Sequence, residues 1–73
     1  MVVFDHHKLR ALRMERGYSL AGLARRLEQK TGLRVTRAGI SCWERGKNLP
    51  SLTSLIAVAE LYGKELGYFF KDV

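Results

Sequence analysis

Seventy-three residues with a 47% hydrophobic fraction can build one small core, near the lower limit for a chain that folds without a covalent or metal staple. The single Cys42 excludes an internal disulfide, no His/Cys cluster supplies a metal site, and no apolar run approaches the roughly 20 residues of a membrane span. Thirteen Lys and Arg against seven Asp and Glu give a net charge of +6, and the excess is lopsided: residues 1–49 carry eleven basic against four acidic side chains, residues 50–73 two against three. One basic end and one near-neutral end suit a polyanionic partner, although a generally basic, well-solvated surface would read the same way. The opening "MVVFDHH" has no signal-peptide character, and a lone thiol fits a reduced, cytoplasmic setting.

Taken in chain order, the spacing predicts five helical segments within a single domain over residues 1–73, and no strand. Asp5 is a good N-cap for the first helix, with Phe4 placed to staple against Leu9; Leu9, Leu12 and Arg13 recur at helical spacing, and Gly17 ends the helix. His6 and His7, adjacent and therefore about 100° apart on a helix, cannot easily share a metal and read as solvated first-turn residues. Ser19 caps the second helix, whose apolar stripe is Leu20, Leu23, Ala24 and Leu27. Arg25, Arg26 and Glu28 lie on its polar side, where the arginines could meet DNA or only solvent. The connection "EQKTGLRV" is read as an extra turn of helix to about Lys30, then a short basic loop around Gly32. Thr36 caps the third helix and Gly46 stops it. After the loop "GKNLPS", Ser51 caps a fourth helix with Leu52, Leu55, Ile56, Ala59 and Tyr62 inward and Gly63 at its end. A short, weakly capped fifth helix, roughly Glu65 to Lys71, would tuck Leu66, Phe69 and Phe70 onto the core. One aromatic, Tyr68 or Phe70, is left as an exposed contact for a second subunit or a further C-terminal domain.

The third segment, "TRAGISCWERG", has two unlike faces. At about 100° per residue, Trp43 and Glu44 fall near Ile40, whereas Ala38, Ser41, Cys42 and Arg45 lie opposite, with Arg37 at the edge of the first turn. The outer face is thus built of small side chains bracketed by guanidiniums. Such a surface lets a helix axis approach a partner closely, with arginines placed for phosphates or guanine edges. Trp43 reads as core rather than as a base-stacking residue. Cys42 reads as a small space-filler, with a redox switch as the sharper alternative, and Gly39 serves either close approach or packing.

At these residues the chain resembles the helix-turn-helix domains of the phage-repressor and Cro type, the xenobiotic-response-element family. The resemblance rests on "LRALRMERGYSLAGLARRL" and on "TRAGISCWERGKNLPSLTSLIAVAELYGKELGYFF", spanning about residues 8–70. It implies an all-α, lambda-repressor-like bundle of five compact helices, with the second helix across the DNA backbone and the third, about residues 36–45, in the major groove. It also implies residue roles. Arg37, Ala38 and Cys42 take base-facing positions, with Gly39 and Ser41 near the groove. Arg45 and Lys47 take phosphate positions, to which Lys30, Arg34 and the second helix's N-terminus at Ser19 can add. Glu44 pairs with Arg13, which accounts for a charge on the inner face.

Two departures from the family pattern stand out. Leu20 occupies the place of a frequent glutamine that touches phosphate, and the connection between the second and third helices is longer by about six residues. The reading face itself is sparse: Ala38 and Cys42 offer apolar contact only, so Arg37 is the one strong base reader, and DNA shape and dimer spacing must supply the rest. No Ser/His/Asp or Cys/His arrangement and no phosphate-binding glycine loop supports catalysis. The reading is therefore a non-enzymatic, cofactor-free, double-stranded-DNA-binding transcriptional regulator, a repressor acting as a homodimer. The rival is a protein-interaction module of the antitoxin or anti-regulator type, working through the C-terminal helix. RNA binding is the weakest reading, because no exposed aromatic pair offers a stacking platform.

Overall fold

Each helix begins where a short oxygen-bearing side chain can satisfy an orphan amide. In the computed structural model, which describes residues 1–73, Asp5 caps α1 (His6–Arg16), Ser19 caps α2 (Leu20–Thr31), Thr36 caps α3 (Arg37–Glu44) and Ser51 caps α4 (Leu52–Tyr62). These caps accept from the amides of His7, Gly22, Gly39 and Ser54 at 3.2, 2.9, 3.0 and 3.1 Å. α2 runs a full turn past Leu27, its last buried leucine, and the Thr31 hydroxyl secures its end by donating to the Leu27 carbonyl at 2.6 Å and accepting from the Leu33 amide at 3.2 Å. The long connection between α2 and α3 is thus mostly helix, followed by a five-residue loop.

The core draws on every helix. Leu9 and Leu12 of α1, Leu23 and Leu27 of α2, Ile40 and Trp43 of α3, and Leu55, Val58, Ala59 and Tyr62 of α4 are buried together with Phe69. α2 packs against both α3 and α4, and α1 against α3, so α3 is held from two sides while one face stays open. Phe69 and Leu27 have no exposed surface at all, and at about 25 cal/mol per Å² side chains of this size supply much of the apolar stabilisation a chain this short can gather.

Three sequence expectations are corrected. First, the fold is mostly helical rather than all-α: β1 (Val2–Phe4) pairs antiparallel with β2 (Phe70–Asp72), matching Val2 to Asp72, Val3 to Lys71 and Phe4 to Phe70. Three-residue strands are too short to show alternation, and their partners lie at opposite ends of the chain. Second, the fifth helix is a 3-10 turn, Leu66–Phe69, that passes directly into β2. No side chain caps it, and Gly67 weakens any continuation, so the backbone amides of the tail go to the sheet instead. Phe69 still plugs the core, while Phe70 meets Phe4 edge-on with ring centroids 6.0 Å apart. Third, α4 is rotated from the expected face. It buries Ser54, Leu55, Ala57, Val58, Ala59 and Tyr62, leaving Leu52 67% and Ile56 47% exposed. Ser54 can enter the interior because its amide donates to the Ser51 hydroxyl oxygen at 3.1 Å and its own hydroxyl oxygen accepts from the Ser51 hydroxyl at 2.9 Å.

Candidate nucleic-acid interface

The C-terminal end of α3 is tied down by side chains from α1. Arg13 forks onto Glu44, with Nε to Oε2 at 2.7 Å and Nη2 to Oε1 at 2.9 Å, and its Nη1 donates to the Tyr18 carbonyl at 2.9 Å. Both side chains are nearly inaccessible, and the carboxylate hydrogen bond outweighs desolvation to hold the Arg13 guanidinium above its ordinary pKa. Behind the pair, Tyr62 is buried with no protein partner for its hydroxyl; burial first, and the Glu44 charge second, push its pKa up to about 12. Arg26 lies over the Tyr18 ring at 4.4 Å, and Tyr18 in turn stacks at 6.4 Å on Tyr62, with Arg16 over the Tyr62 ring at 5.5 Å.

His6 is a second anchor, and one that sequence spacing does not reveal. It is half-buried rather than solvated, and its Nδ1 lies 2.8 Å from the Glu44 carbonyl oxygen, the last residue of α3. His7 beside it is exposed, the two rings 4.2 Å apart. The His6 ring also packs on Gly46, where an added Cβ would fall 2.8 Å from its Cδ2 and Nε2 atoms. Gly46 has φ 73°, and the amides of Gly46 and Lys47 bond back to the carbonyls of Trp43 and Cys42 at 3.2 and 3.0 Å. This is a Schellman closure, which needs a residue comfortable in the left-handed region. It sets the direction of the turn that carries Arg45 and Lys47.

The outer face of α3 presents Arg37, Ala38 and Arg45 exposed, with Gly39, Ser41 and Cys42 half-buried; Lys47 is exposed on the following turn. Ile40, Trp43 and Glu44 are buried on the inner face. Gly39 is placed by packing: a Cβ there would press on Val35 Cγ2 at 3.3 Å and on the capping Thr36 Oγ1 at 3.4 Å. The Arg45 guanidinium reaches the Ser41 carbonyl at 3.4 Å and Cys42 Sγ at 3.8 Å, both at the weak limit of hydrogen bonding. Ser19 and Lys30 are exposed at the two ends of α2. Arg34, in the connecting loop, is exposed but pairs with Glu28 at 3.3 Å, so part of its charge is already answered. The structure therefore gathers Arg37, Ala38, Gly39, Ser41, Cys42, Arg45 and Lys47 on and just after one helix. Arg34 lies in the connecting loop and Lys30 at the far end of α2.

Comparison with known proteins agrees with this architecture. Residues 9–69 match the Helix-turn-helix family model of the HTH_3 type, and the chain belongs to that family, the Cro and C1 kind. Membership makes it a DNA-binding domain of a family that is typically non-enzymatic. No curated protein and no solved structure matches the chain. No helix is long and apolar enough to cross a membrane.

Proposed function

We propose that this protein is a transcriptional repressor that binds a pseudo-palindromic site in double-stranded DNA as a homodimer, with α3 docked in the major groove. The observation that carries the reading is the two-faced α3: its inner face is locked to α1 through Arg13, Glu44 and His6, while its outer face combines small side chains with exposed arginines. In this reading Arg37 and Ala38 address base edges, with Gly39, Ser41 and Cys42 allowing close approach. Arg45, Lys47, Lys30, Arg34 and the α2 N-terminus at Ser19 address phosphates. The exposed Leu52 and Ile56, one turn apart on α4, with Leu49 ahead of them, offer apolar surface to a second copy.

Binding to duplex DNA measured across a range of salt tests the reading: log K should fall steeply and linearly with log salt, and a flat dependence would sink it. Within that experiment, Arg37→Ala should relax sequence preference by about 1–3 kcal/mol at one base position. Lys47→Ala should weaken all sequences alike and lower the salt slope by about 1. A selection of bound duplexes from a random pool would show half-site spacing and thereby dimerisation.

A second reading, an interaction module of the antitoxin or anti-regulator type, is favoured by the apolar surface at Leu49, Leu52 and Ile56 and by the partly exposed Tyr68 after α4. Capture of a stoichiometric protein partner, together with DNA affinity no better than non-specific, would choose it over the first.

A further inference from the structure

Residues 16–43, from the end of α1 to the last turn of α3, hold six basic side chains (Arg16, Arg25, Arg26, Lys30, Arg34 and Arg37) and a single acidic one, Glu28. The next carboxylate, Glu44, is buried and taken up by Arg13 through hydrogen bonds of 2.7 and 2.9 Å. Glu28 is thus the one exposed negative charge across α2, the connecting loop and the outer face of α3. Its partner is Arg34, across the Gly32 turn, with Nε 3.3 Å from Oε1. The loop fixes where Arg34 stands. Gly32 turns the chain out of α2 with φ 78°, and Leu33 and Val35 both pack against the core, so Arg34 between them faces solvent. Val35 also backs the first turn of α3, where a Cβ added at Gly39 would fall 3.3 Å from its Cγ2. Arg34 therefore sits on a seated loop beside the start of the helix proposed to enter the groove.

We propose that Glu28 withholds Arg34 from the DNA backbone: it stands in for a phosphate when no nucleic acid is bound, and competes with phosphate for the same guanidinium when α3 docks. A carboxylate and a phosphate offer a guanidinium the same kind of charge-assisted bond, so one can replace the other. The pair is suited to exchange. The Arg34 side chain is 87% exposed and that of Glu28 48%, against 11% and 4% for Arg13 and Glu44. Both charges line a solvent-open notch of about 340 Å³ with Ala24, Val35 and Thr36, so water and salt reach them. An exposed pair of this kind holds weakly and is screened by salt, and Arg34 has no second carboxylate to hold it. Because the contact it opposes is to the backbone, Glu28 lowers the grip on every duplex alike, whatever its sequence. The inference rests on the DNA-binding reading, in which Arg34 addresses phosphate, and adds to it an opposing residue.

A double-mutant cycle on duplex binding decides it, with the wild type, Glu28→Gln, Arg34→Ala and the two combined each measured over a range of salt. Glu65→Gln, which removes an exposed carboxylate beyond α4, is the charge control. Glu28→Gln keeps the shape of the side chain and loses only its charge. It should tighten binding by up to about fivefold at low salt, the scale of an exposed ion pair, and steepen log K against log salt by at most about 1. The gain should be the same on unrelated duplexes and should shrink once Arg34 is alanine. Glu65→Gln should change both quantities least. If the wild type binds duplex DNA and Glu28→Gln gains nothing, the inference is overturned while the DNA-binding reading stands. If the gain is equally large without Arg34, Glu28 acts only as a bare negative charge, and competition for Arg34 is overturned. If the wild type binds no duplex at any salt, the DNA-binding reading falls and takes the role of Glu28 with it.

Discussion

The two ends of α3 are held in different ways. Its C-terminal end is fixed from outside the helix, by the Arg13–Glu44 fork, by the His6 imidazole on the Glu44 carbonyl, and by the Gly46 closure packed under that ring. Its N-terminal end, which carries Arg37 and Ala38, has no ion pair or side-chain hydrogen bond to another helix; it is held by its own cap at Thr36, the seating of Gly39 on Val35 and the burial of Ile40 in the core. In the proposed reading, docking geometry is set by the buried interactions at the back of α3, and discrimination falls to the exposed residues at its front.

The contrast can be broken from the back. Glu44→Ala would leave the Arg13 guanidinium, 11% exposed, without a counter-charge, and should lose about 3–5 kcal/mol of stability. That is a large part of the ~5–15 kcal/mol typical of folded domains, so urea unfolding should show a strongly lowered midpoint or no folded baseline. A loss below about 1 kcal/mol would show that the fork is not the anchor. Gly46→Ala is expected next, at about 2 kcal/mol, from the left-handed backbone and the overlap with His6. Combining it with His6→Ala should relieve the overlap but not the backbone strain, so a double-mutant cycle separates the two. The smallest effect tests the front: Thr36→Ala should cost about 1 kcal/mol and raise hydrogen exchange in the first turn of α3, at the Gly39 amide above all. Trp43 fluorescence, reporting on the buried back of the helix, should not change. If it does, the two ends are not independent.

What the chain displays locally is what could be read from it. The four N-caps, the glycine stops, the extension of α2 and the two faces of α3 each depend on residues within one or two turns of one another, and periodicity and cap chemistry report on that range. The Arg13–Glu44 pair, 31 positions apart, entered only through family resemblance; no spacing within a helix could have supplied it. The misses share a cause. The β1–β2 pairing joins residues about seventy positions apart. The His6 contact spans 38 positions, and its sequence surroundings, a polar first turn, resemble those of a solvated residue. Leu52 and Ile56 share the 3–4 spacing of Leu55, Val58, Ala59 and Tyr62. Composition could not tell which of two overlapping stripes faced inward, and the answer turned on whether Ser54 could be buried with its hydroxyl satisfied.

The small terminal sheet has a consequence for engineering the molecule. With Val2 opposite Asp72 and the Met1 amine 3.0 Å from the Asp72 carboxylate, both ends of the polypeptide emerge side by side. A label or fused module added at either end would leave from one common edge, and a few linker residues could join the ends into a closed ring. The chain could then be reopened at the exposed Asn48–Leu49 peptide, exchanging the order of its halves while keeping the back of α3 intact.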